Sequence, residues 1–312
     1  MKYIILLMSV CMLVGCNVQT LPPIAPEQSF VATLNIDEPS IQYFDEEGEL
    51  LTTWTLEEYY TGAVLLDEQQ LLLYSHALPI AVVYELATGK LIDKWTVDAG
   101  TTNALYDAVN EQVILTNEQT NTVRFYEIDG TERAQVPVRN YPMAMAMHDK
   151  YVYIINYKDT WLSVLDVTTQ QVVTEWPIAA YSNGIMIDDK AQEVWVGGHG
   201  AGTESNTFVH VYDLQTGQER QTIPAPLMPV NIAMSPTQKA VISHGNNALY
   251  FIEDYEVMQK LTVGANPFAV SYWQNQWLVA GYDDQILYFI DDDVITKKVE
   301  TEKGPFQLIV RD

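Results

Sequence analysis

Three histidines near the ends of apolar, strand-like segments have the clearest potential for metal chemistry in this chain. They are His76, His199 and His244. Neutral imidazoles bind zinc and copper well, but three of them can share one ion only if their ring nitrogens come within about 4 Å of one another. Whether they do depends on how the fold arranges the segments that carry them.

No set of residues matches the common hydrolase or metalloprotease motifs. The sequence contains neither Gly-x-Ser-x-Gly nor His-Glu-x-x-His, and both cysteines lie within the first sixteen residues. A short run of alternating methionines that ends in a histidine would suit copper, but it is more typical of packing between strands. It consists of Met143, Met145, Met147 and His148. We therefore predict no catalytic residue and no cofactor.

A repeat of about forty residues organises the chain and must position these side chains. Seven times an acidic residue follows a short apolar segment, at Asp45, Glu85, Glu127, Asp166, Asp213, Glu253 and Asp291. Strand-type composition at this period is the signature of a β-propeller with one four-stranded sheet, or blade, per repeat. Tryptophans at equivalent places in the repeats are predicted to fill the space between blades. The predicted fold is an all-β, seven-bladed β-propeller with antiparallel blades.

The two ends of the chain are predicted to complete one blade together. Residues 305–310 resemble an innermost strand, whereas residues 30–34, 40–44 and 50–56 resemble second, third and fourth strands. Pairing the C-terminal strand with the N-terminal strands would close the ring. It would also cover two sheet edges that otherwise promote aggregation.

Parts of the repeat resemble the YVTN repeat of bacterial surface propellers, which have a WD40-like architecture. Leu115-Thr116-Asn117 is close to the stretch that names the family, and Val211-Tyr212-Asp213-Leu214-Gln215-Thr216-Gly217 is similar to the strand and turn that follow it. In two repeats, those of Glu253 and Asp291, no Thr-Gly follows the acid. The resemblance implies a surface propeller but no particular activity.

The first sixteen residues are predicted to direct export. Lys2 is followed by an apolar run, and Leu13-Val14-Gly15-Cys16 resembles the lipobox of bacterial lipoproteins. The resemblance implies cleavage before Cys16 and acylation of this residue, for example with palmitate; an ordinary signal peptide with a stray cysteine is the alternative. We assign residues 1–15 to a signal peptide, 16–28 to a proline-rich tether and 29–312 to the propeller. The expected location is the extracytoplasmic face of a bacterial cell membrane.

The charge of the chain limits its partners. The formal net charge is −25 at pH 7, which disfavours nucleic acid and anionic lipid headgroups. We therefore expect membrane attachment only through the lipid on Cys16, a protein or cell-envelope partner, no nucleic acid, and a monomer.

One face of the predicted ring collects candidate binding residues, because loops that lead into inner strands and loops that leave second strands share a face. The residues assigned to the channel mouth are Tyr60, Asn103, Tyr141, Tyr181, Asn183, His199, His244, Phe268 and Phe306. Aromatic and amide side chains around a concave rim suit a ligand or protein site. The glycine-rich segment 197–206 is predicted to be a mobile loop there. His76 is placed three blades from the other two histidines, so we predict no metal site.

These features predict a lipid-anchored binding or assembly module whose rim recognises a protein, a peptide or a cell-wall component. A propeller enzyme of lactonase, lyase or quinoprotein type is the alternative, together with a metal or redox accessory protein. The asparagines at second-strand ends have a simpler explanation, because they could bond only to their own turns. They are Asn35, Asn117 and Asn156.

Overall fold

Seven four-stranded antiparallel sheets stand around a central channel. The structure, a computed structural model, describes residues 20–202 and 204–312. The predicted fold class, an all-β seven-bladed propeller, is confirmed. The predicted signal peptide and Cys16 lie outside the described residues. Within the described part of the chain, no helix has the length and apolar character needed to cross a membrane.

We number the blades by the order of their inner strands in the sequence and give each blade from the channel outward. Blades 1 to 3 comprise β4 (Gly62–Leu66), β5 (Gln70–Tyr74), β6 (Ile80–Glu85) and β7 (Lys90–Thr96); β8 (Thr101–Asp107), β9 (Gln112–Asn117), β10 (Thr122–Glu127) and β11 (Glu132–Pro137); and β12 (Pro142–His148), β13 (Tyr151–Asn156), β14 (Trp161–Asp166) and β15 (Gln171–Pro177).

Blades 4 to 6 comprise β16 (Ser182–Asp188), β17 (Glu193–Gly198), β18 (Phe208–Asp213) and β19 (Glu219–Pro224); β20 (Pro229–Met234), β21 (Lys239–Ser243), β22 (Ala248–Glu253) and β23 (Glu256–Thr262); and β24 (Pro267–Trp273), β25 (Gln276–Gly281), β26 (Ile286–Asp291) and β27 (Val294–Glu300). Blade 7 comprises β28 (Pro305–Arg311), β1 (Phe30–Asn35), β2 (Ser40–Phe44) and β3 (Leu50–Thr55). A single turn of 3₁₀ helix, His244–Asn246, follows β21.

The apolar content of each strand follows its place in the blade. Second and third strands are covered by neighbouring blades on both faces, so they are almost continuously apolar. Outermost strands have a face in solvent and alternate instead, as in β27. Tryptophans on these outer strands are buried between blades, as predicted, at Trp54, Trp95 and Trp176. The core is therefore a series of layers between sheets.

The seven acidic residues of the repeat mark the turns between third and fourth strands. Six of them are the last residue of a third strand, and Asp45 directly follows β2. The two blades that lack Thr-Gly use a different turn. Asp254-Tyr255 and Asp292-Asp293 have positive φ at both residues, which is the type I′ geometry that two-residue hairpins prefer.

Acid should weaken the turn at Asp213. Its Oδ1 accepts the backbone N–H groups of Gln215 and Thr216 at 3.0 and 2.7 Å, and its Oδ2 pairs with Arg220. These bonds lower its pKa to about 2, below the ordinary 3.8. The stability that they provide is therefore present above pH 4 and is lost as the pH falls towards 2.

We predict that Asp213→Asn lowers the free energy of unfolding at pH 7 by about 1 kcal/mol, since solvent screens this surface turn, and flattens its decline between pH 4 and pH 2. Urea unfolding across this range measures both effects, with the exposed Asp189→Asn as a matched control. Equal acid sensitivity in wild type and Asp213→Asn would contradict the explanation.

The ring closes as the sequence predicts, because β28 pairs with β1. The ladder runs from Phe30 opposite Arg311 to Asn35 opposite Pro305. A second contact spans the channel side, where the Gln307 amide accepts the Ala63 N–H at 2.9 Å and donates to the Ala63 carbonyl at 2.8 Å. Blade 7 is thereby joined to blade 1 by a side chain as well as by packing.

The second half of the predicted tether is part of the folded body. Leu21 and Ile24 are buried in the core cluster of blades 7 and 1. The Leu21 N–H donates to the Gly89 carbonyl at 2.8 Å, and the indole N–H of Trp54 donates to the Pro22 carbonyl at 2.8 Å. A Cβ at Gly89 would lie 1.8 Å from the Leu21 carbonyl oxygen, so this close approach requires glycine. Residues 20–28 therefore belong to the folded body rather than to the predicted tether.

The docked segment lies on the face of the ring opposite to the predicted rim. It contacts Gly89 in the turn between β6 and β7 and Arg311 at the end of β28. In antiparallel blades these turns share a face with the ends of the inner strands. The loops that lead into inner strands form the other face. The two faces are called the anchor face and the rim face below.

Candidate functional site

A β-bulge near the start of the inner strand aims one side chain per blade at the mouth of the channel. In blade 3 the register slips between Pro142 and Ala144, so Met143 is the extra residue. Bulges of this kind bend a strand and re-aim a side chain, and they are common next to binding sites. The extra residues of six blades line one cavity of about 330 Å³. They are Thr102, Met143, Asn183, Val230, Phe268 and Phe306.

Blade 1 has no bulge and fills the equivalent place with an aromatic ring. Gly62 pairs with Tyr74 in register, and the Tyr74 ring lies over it. A Cβ at Gly62 would come within 2.0 Å of the Tyr74 ring carbon Cζ. Tyr74 is buried and lines the same cavity. The wall of the mouth is therefore complete around the ring.

Residues just outside the bulges hold the rim together. Tyr141 and Tyr181, each directly before an inner strand, adopt positive φ of 63° and 56°. Their carbonyls accept the N–H groups of Tyr157 and His199 at 2.8 and 3.0 Å. Non-glycine residues pay about 1–3 kcal/mol for this conformation, so the surrounding packing must enforce it. In blade 2 the equivalent residue is Gly100, whose carbonyl accepts the N–H of Glu118 at 2.8 Å.

A continuous arc of rings crosses the rim from blade 3 to blade 7. We call this set the aromatic arc, and it consists of Tyr141, Tyr157, Tyr181, His199, His244, Phe268, Tyr282 and Phe306. The Tyr157 ring centroid lies 5.2 Å from that of Tyr181 and 6.3 Å from that of His199. The centroids of His199 and His244 are 5.5 Å apart, and those of His244 and Phe268 are 4.5 Å apart. Blades 1 and 2 contribute no ring to the arc.

Most of the predicted rim residues are brought together, but two are placed differently. Tyr60 is only 5% exposed and packs in the core cluster of blades 7 and 1. Asn103 lines the cavity one position deeper than the bulge residue Thr102. Tyr181 is the most open member of the arc, with 37% of its surface exposed.

The asparagines at second-strand ends serve their own turns. Asn117 accepts the backbone N–H groups of Gln119 and Thr120 at 3.0 Å and donates to the Ala99 carbonyl at 2.9 Å. Asn156 donates to the Trp161 carbonyl and to Ser163. Both side chains are buried, so the simpler explanation holds for them.

The two histidines of the arc have ring nitrogens without protein partners. Nδ1 of His199 and Nδ1 of His244 are both buried and make no hydrogen bond, and neither does the buried Oδ1 of Asn183. Burial lowers the pKa of both imidazoles; the nearby His244 lowers that of His199 further, whereas Asp283 opposes the shift at His244. Both rings are therefore neutral at pH 7. His76, in contrast, is exposed on blade 1.

Acidic side chains dominate the loops of the rim face. The acids are Asp37, Glu38, Glu57, Glu58, Asp98, Glu118, Asp159, Glu204, Asp283, Asp284 and Glu302. Among the described residues of these loops, the lysines and arginines are Arg139, Lys158 and Lys303. Lys158 Nζ lies 3.9 Å from the Tyr141 ring centroid, so one arc member already holds a cation over its face. The rim as a whole attracts positively charged ligands.

The glycine-rich segment is shorter as a loop than predicted. Gly197 and Gly198 belong to β17, and a Cβ at Gly198 would lie 2.4 Å from the Tyr181 carbonyl oxygen. The loop closes where the Asn206 N–H donates to the His199 carbonyl at 2.8 Å. The described residues of this loop therefore lie directly beside the pair His199 and His244.

Two members of the aromatic arc, Tyr157 and Tyr282, were missing from the predicted site. Tyr157 and Tyr282 occupy the position of His199 and His244, immediately after a second strand. Alignment of Tyr157, rather than Asn156, with these histidines would have placed it in the predicted site. The bulges themselves leave no clear signal in the sequence.

The methionine run is divided by the bulge of blade 3. Met145 and Met147 pack against the core of blades 2 and 3, whereas Met143 lines the cavity. Among residues 20–202 and 204–312, no group of three or more histidine, cysteine, aspartate or glutamate residues could hold a metal ion.

Comparisons with known proteins support the fold alone. No family model matches the chain, and no curated protein matches it. Solved structures that resemble it include a functionally unknown protein from Desulfotomaculum acetoxidans, with 9% identity, coverage of 91% of this chain and 99% of that one, and a TM-score of 0.76. Hydrazine synthase from Kuenenia stuttgartiensis has 12% identity, coverage of 90% and 99%, and a TM-score of 0.75. AztD from Citrobacter koseri has 10% identity, coverage of 91% and 97%, and a TM-score of 0.62.

Proposed function

We propose that the protein is a lipid-anchored, extracytoplasmic propeller of YVTN type that captures a protein or peptide segment on its aromatic arc. The observation that carries the proposal is the arc itself, a half-buried series of rings across five blades at the mouth of a cavity. Aromatic side chains give large contact areas at small entropic cost, which is why they dominate binding surfaces.

The chemistry of the rim favours a segment with basic and apolar or aromatic side chains. The loops around the arc are acidic, and a cation that approaches an aromatic face in such surroundings gains both Coulomb and cation–π attraction. A cell-wall component with amino groups would meet the same requirements.

The docked N-terminal segment supports an orientation for this module. If Cys16 carries the lipid, only three residues lie between it and Thr20, which pairs with Lys90 on the anchor face. The four residue-to-residue steps from Cys16 to Thr20 reach at most about 14 Å. The anchor face would then lie near the membrane, and the rim would point away from it, towards partners in the cell envelope.

An enzyme remains the alternative for this fold. It would require ionisable side chains that meet within hydrogen-bond reach at the mouth. In the part of the chain that the structure describes, His199 and His244 come into ring contact there without a hydrogen bond between them. Nothing in this geometry favours a particular reaction, so we base the proposal on binding.

We predict that a photo-crosslinking phenylalanine derivative at position 157 yields a discrete adduct in intact cells. Combining it with Tyr141→Ala, Tyr181→Ala and Phe268→Ala should reduce the adduct at least tenfold, because most of the contact area is removed. The adduct is measured by immunoblotting and identified by mass spectrometry.

The matched control places the same derivative at Val109, which is 90% exposed on the anchor face. Phe268 also packs on the core of blades 5 and 6, so Phe268→Leu is tested beside the alanine variant and melting temperatures are compared. The same adduct from position 109, or an undiminished adduct in the triple variant, would refute the rim as the capture site.

A further inference from the structure

The strongest unexplained feature of the rim is a pair of imidazoles, each with a buried Nδ1 atom that has no hydrogen-bond partner. The backbone N–H groups of His199 and His244 are used, since they donate to the Tyr181 and Met228 carbonyls. The buried Nδ1 atoms of both rings make no hydrogen bond. Burying a polar atom without a partner is unfavourable, so such a site calls for a ligand atom.

The spacing of the two rings matches shared coordination of one metal ion. In a tetrahedral zinc site each imidazole nitrogen lies about 2 Å from the metal, and a nitrogen lies about 1 Å from its ring centre, so two ligand rings are centred about 5 Å apart. The observed centroid separation of His199 and His244 is 5.5 Å, with the ring planes 83° apart. Each ring comes from a different blade, and each is fixed at the start of a loop by its backbone bond.

The surroundings of the pair favour a cation. Asp283 acts on His244 electrostatically, and the neighbouring loops of the rim are acidic. The rings of Tyr157 and Phe268 also face the pair.

We propose that His199 and His244 form a binding site for one late first-row divalent cation, copper(II) or zinc(II), at the mouth of the channel. Imidazole is a preferred ligand of both ions, and copper(II) binds nitrogen sites more tightly in the divalent series. Two protein ligands leave coordination positions open to water or to an atom of a bound partner. The site therefore suits exchangeable binding rather than a permanent structural metal.

The test uses full-length protein purified in detergent and titrated calorimetrically with Cu²⁺ and, separately, Zn²⁺ at pH 7.5. We expect one equivalent of at least one cation to bind, and the dissociation constant to rise at least tenfold in His199→Gln and in His244→Gln. His76→Gln is the matched control, because it removes an exposed histidine of the same face three blades away. Mg²⁺ should not bind at this site, since it prefers oxygen ligands.

A spectroscopic measurement on wild type keeps the proposal testable if a variant fails to fold. The electron paramagnetic resonance spectrum of the Cu²⁺ complex should show splitting from two imidazole nitrogens. Absence of saturable binding of both cations, a single coordinated nitrogen, or equal weakening by His76→Gln would each overturn the proposal. Because this test needs no partner, its failure would leave the crosslinking result at position 157 unaffected.

Discussion

A chain that ends at Lys303 is expected to aggregate or to lose its cooperative thermal transition. The deletion removes β28, so blade 7 loses its innermost strand and β1 becomes an exposed edge. It also removes the Gln307 clip to Ala63 and the acceptor of the Trp273 indole N–H, which bonds the Arg311 carbonyl at 3.2 Å. Losing a buried aliphatic side chain alone costs about 2–5 kcal/mol, against a total stability of about 5–15 kcal/mol for a domain. The free energy lost through the deletion is therefore expected to exceed the stability of the ring.

Addition of the missing strand as a separate peptide tests directly whether pairing with β1 closes the ring. A synthetic peptide of residues 304–312 should restore a cooperative melting transition, because it can pair with β1 and complete blade 7. A peptide with proline in place of Leu308 lacks an N–H and should restore less. Size-exclusion chromatography and calorimetry measure both states. A truncated chain that remains monomeric with the wild-type melting temperature would show that the closure is unimportant.

The sequence predicted the ring better than it predicted the rim, for a physical reason. Blade number and strand order follow from a repeated acid, turn residues and apolar runs, which are local signals. The mouth of the channel depends on bulges, and a bulge arises from competition between strand pairing and packing around the axis. Nothing local marks Thr102 rather than Asn103 as the extra residue. The predicted rim residue Asn103 therefore lies one position from the residue that the bulge turns towards the channel.

The N-terminal segment shows a second limit of local signals. Three prolines without apolar periodicity indicated a tether. Leu21 and Ile24 nevertheless fill gaps beneath blades 7 and 1, and the chain there bonds through its carbonyl groups. Prolines lack the N–H but keep the carbonyl, so an extended segment of this composition can still dock. The docking is evident only from the surface of blades 7 and 1 on which the segment packs.

Arg311→Ala is expected to lower the free energy of unfolding by about 3–5 kcal/mol and to release the docked N-terminal segment. Arg311 is buried, with only 2% of its surface exposed. Its guanidinium donates to the carbonyls of Ala25, Gln28 and Glu68 at 2.6 to 3.0 Å. Its charge also lies 4.6 Å from the Phe30 ring centroid. Truncation leaves these buried carbonyls without a donor. Burial lowers the pKa of Arg311, but an arginine stays charged in proteins.

Hydrogen exchange measured by mass spectrometry distinguishes release of the segment from general loss of stability. Amides of residues 20–28 should exchange much faster in Arg311→Ala, while those of the distant blade 4 remain protected. Arg311→Lys keeps the charge but cannot reach three carbonyls as a planar fork, so an intermediate effect is expected. Arg133→Ala is the control, because its pair with Glu127 is exposed and worth at most about 1 kcal/mol. Unchanged protection of residues 20–28 in Arg311→Ala would mean that Leu21, Ile24 and the Trp54 bond hold the segment without the arginine, and the anchor face would not depend on the closing strand.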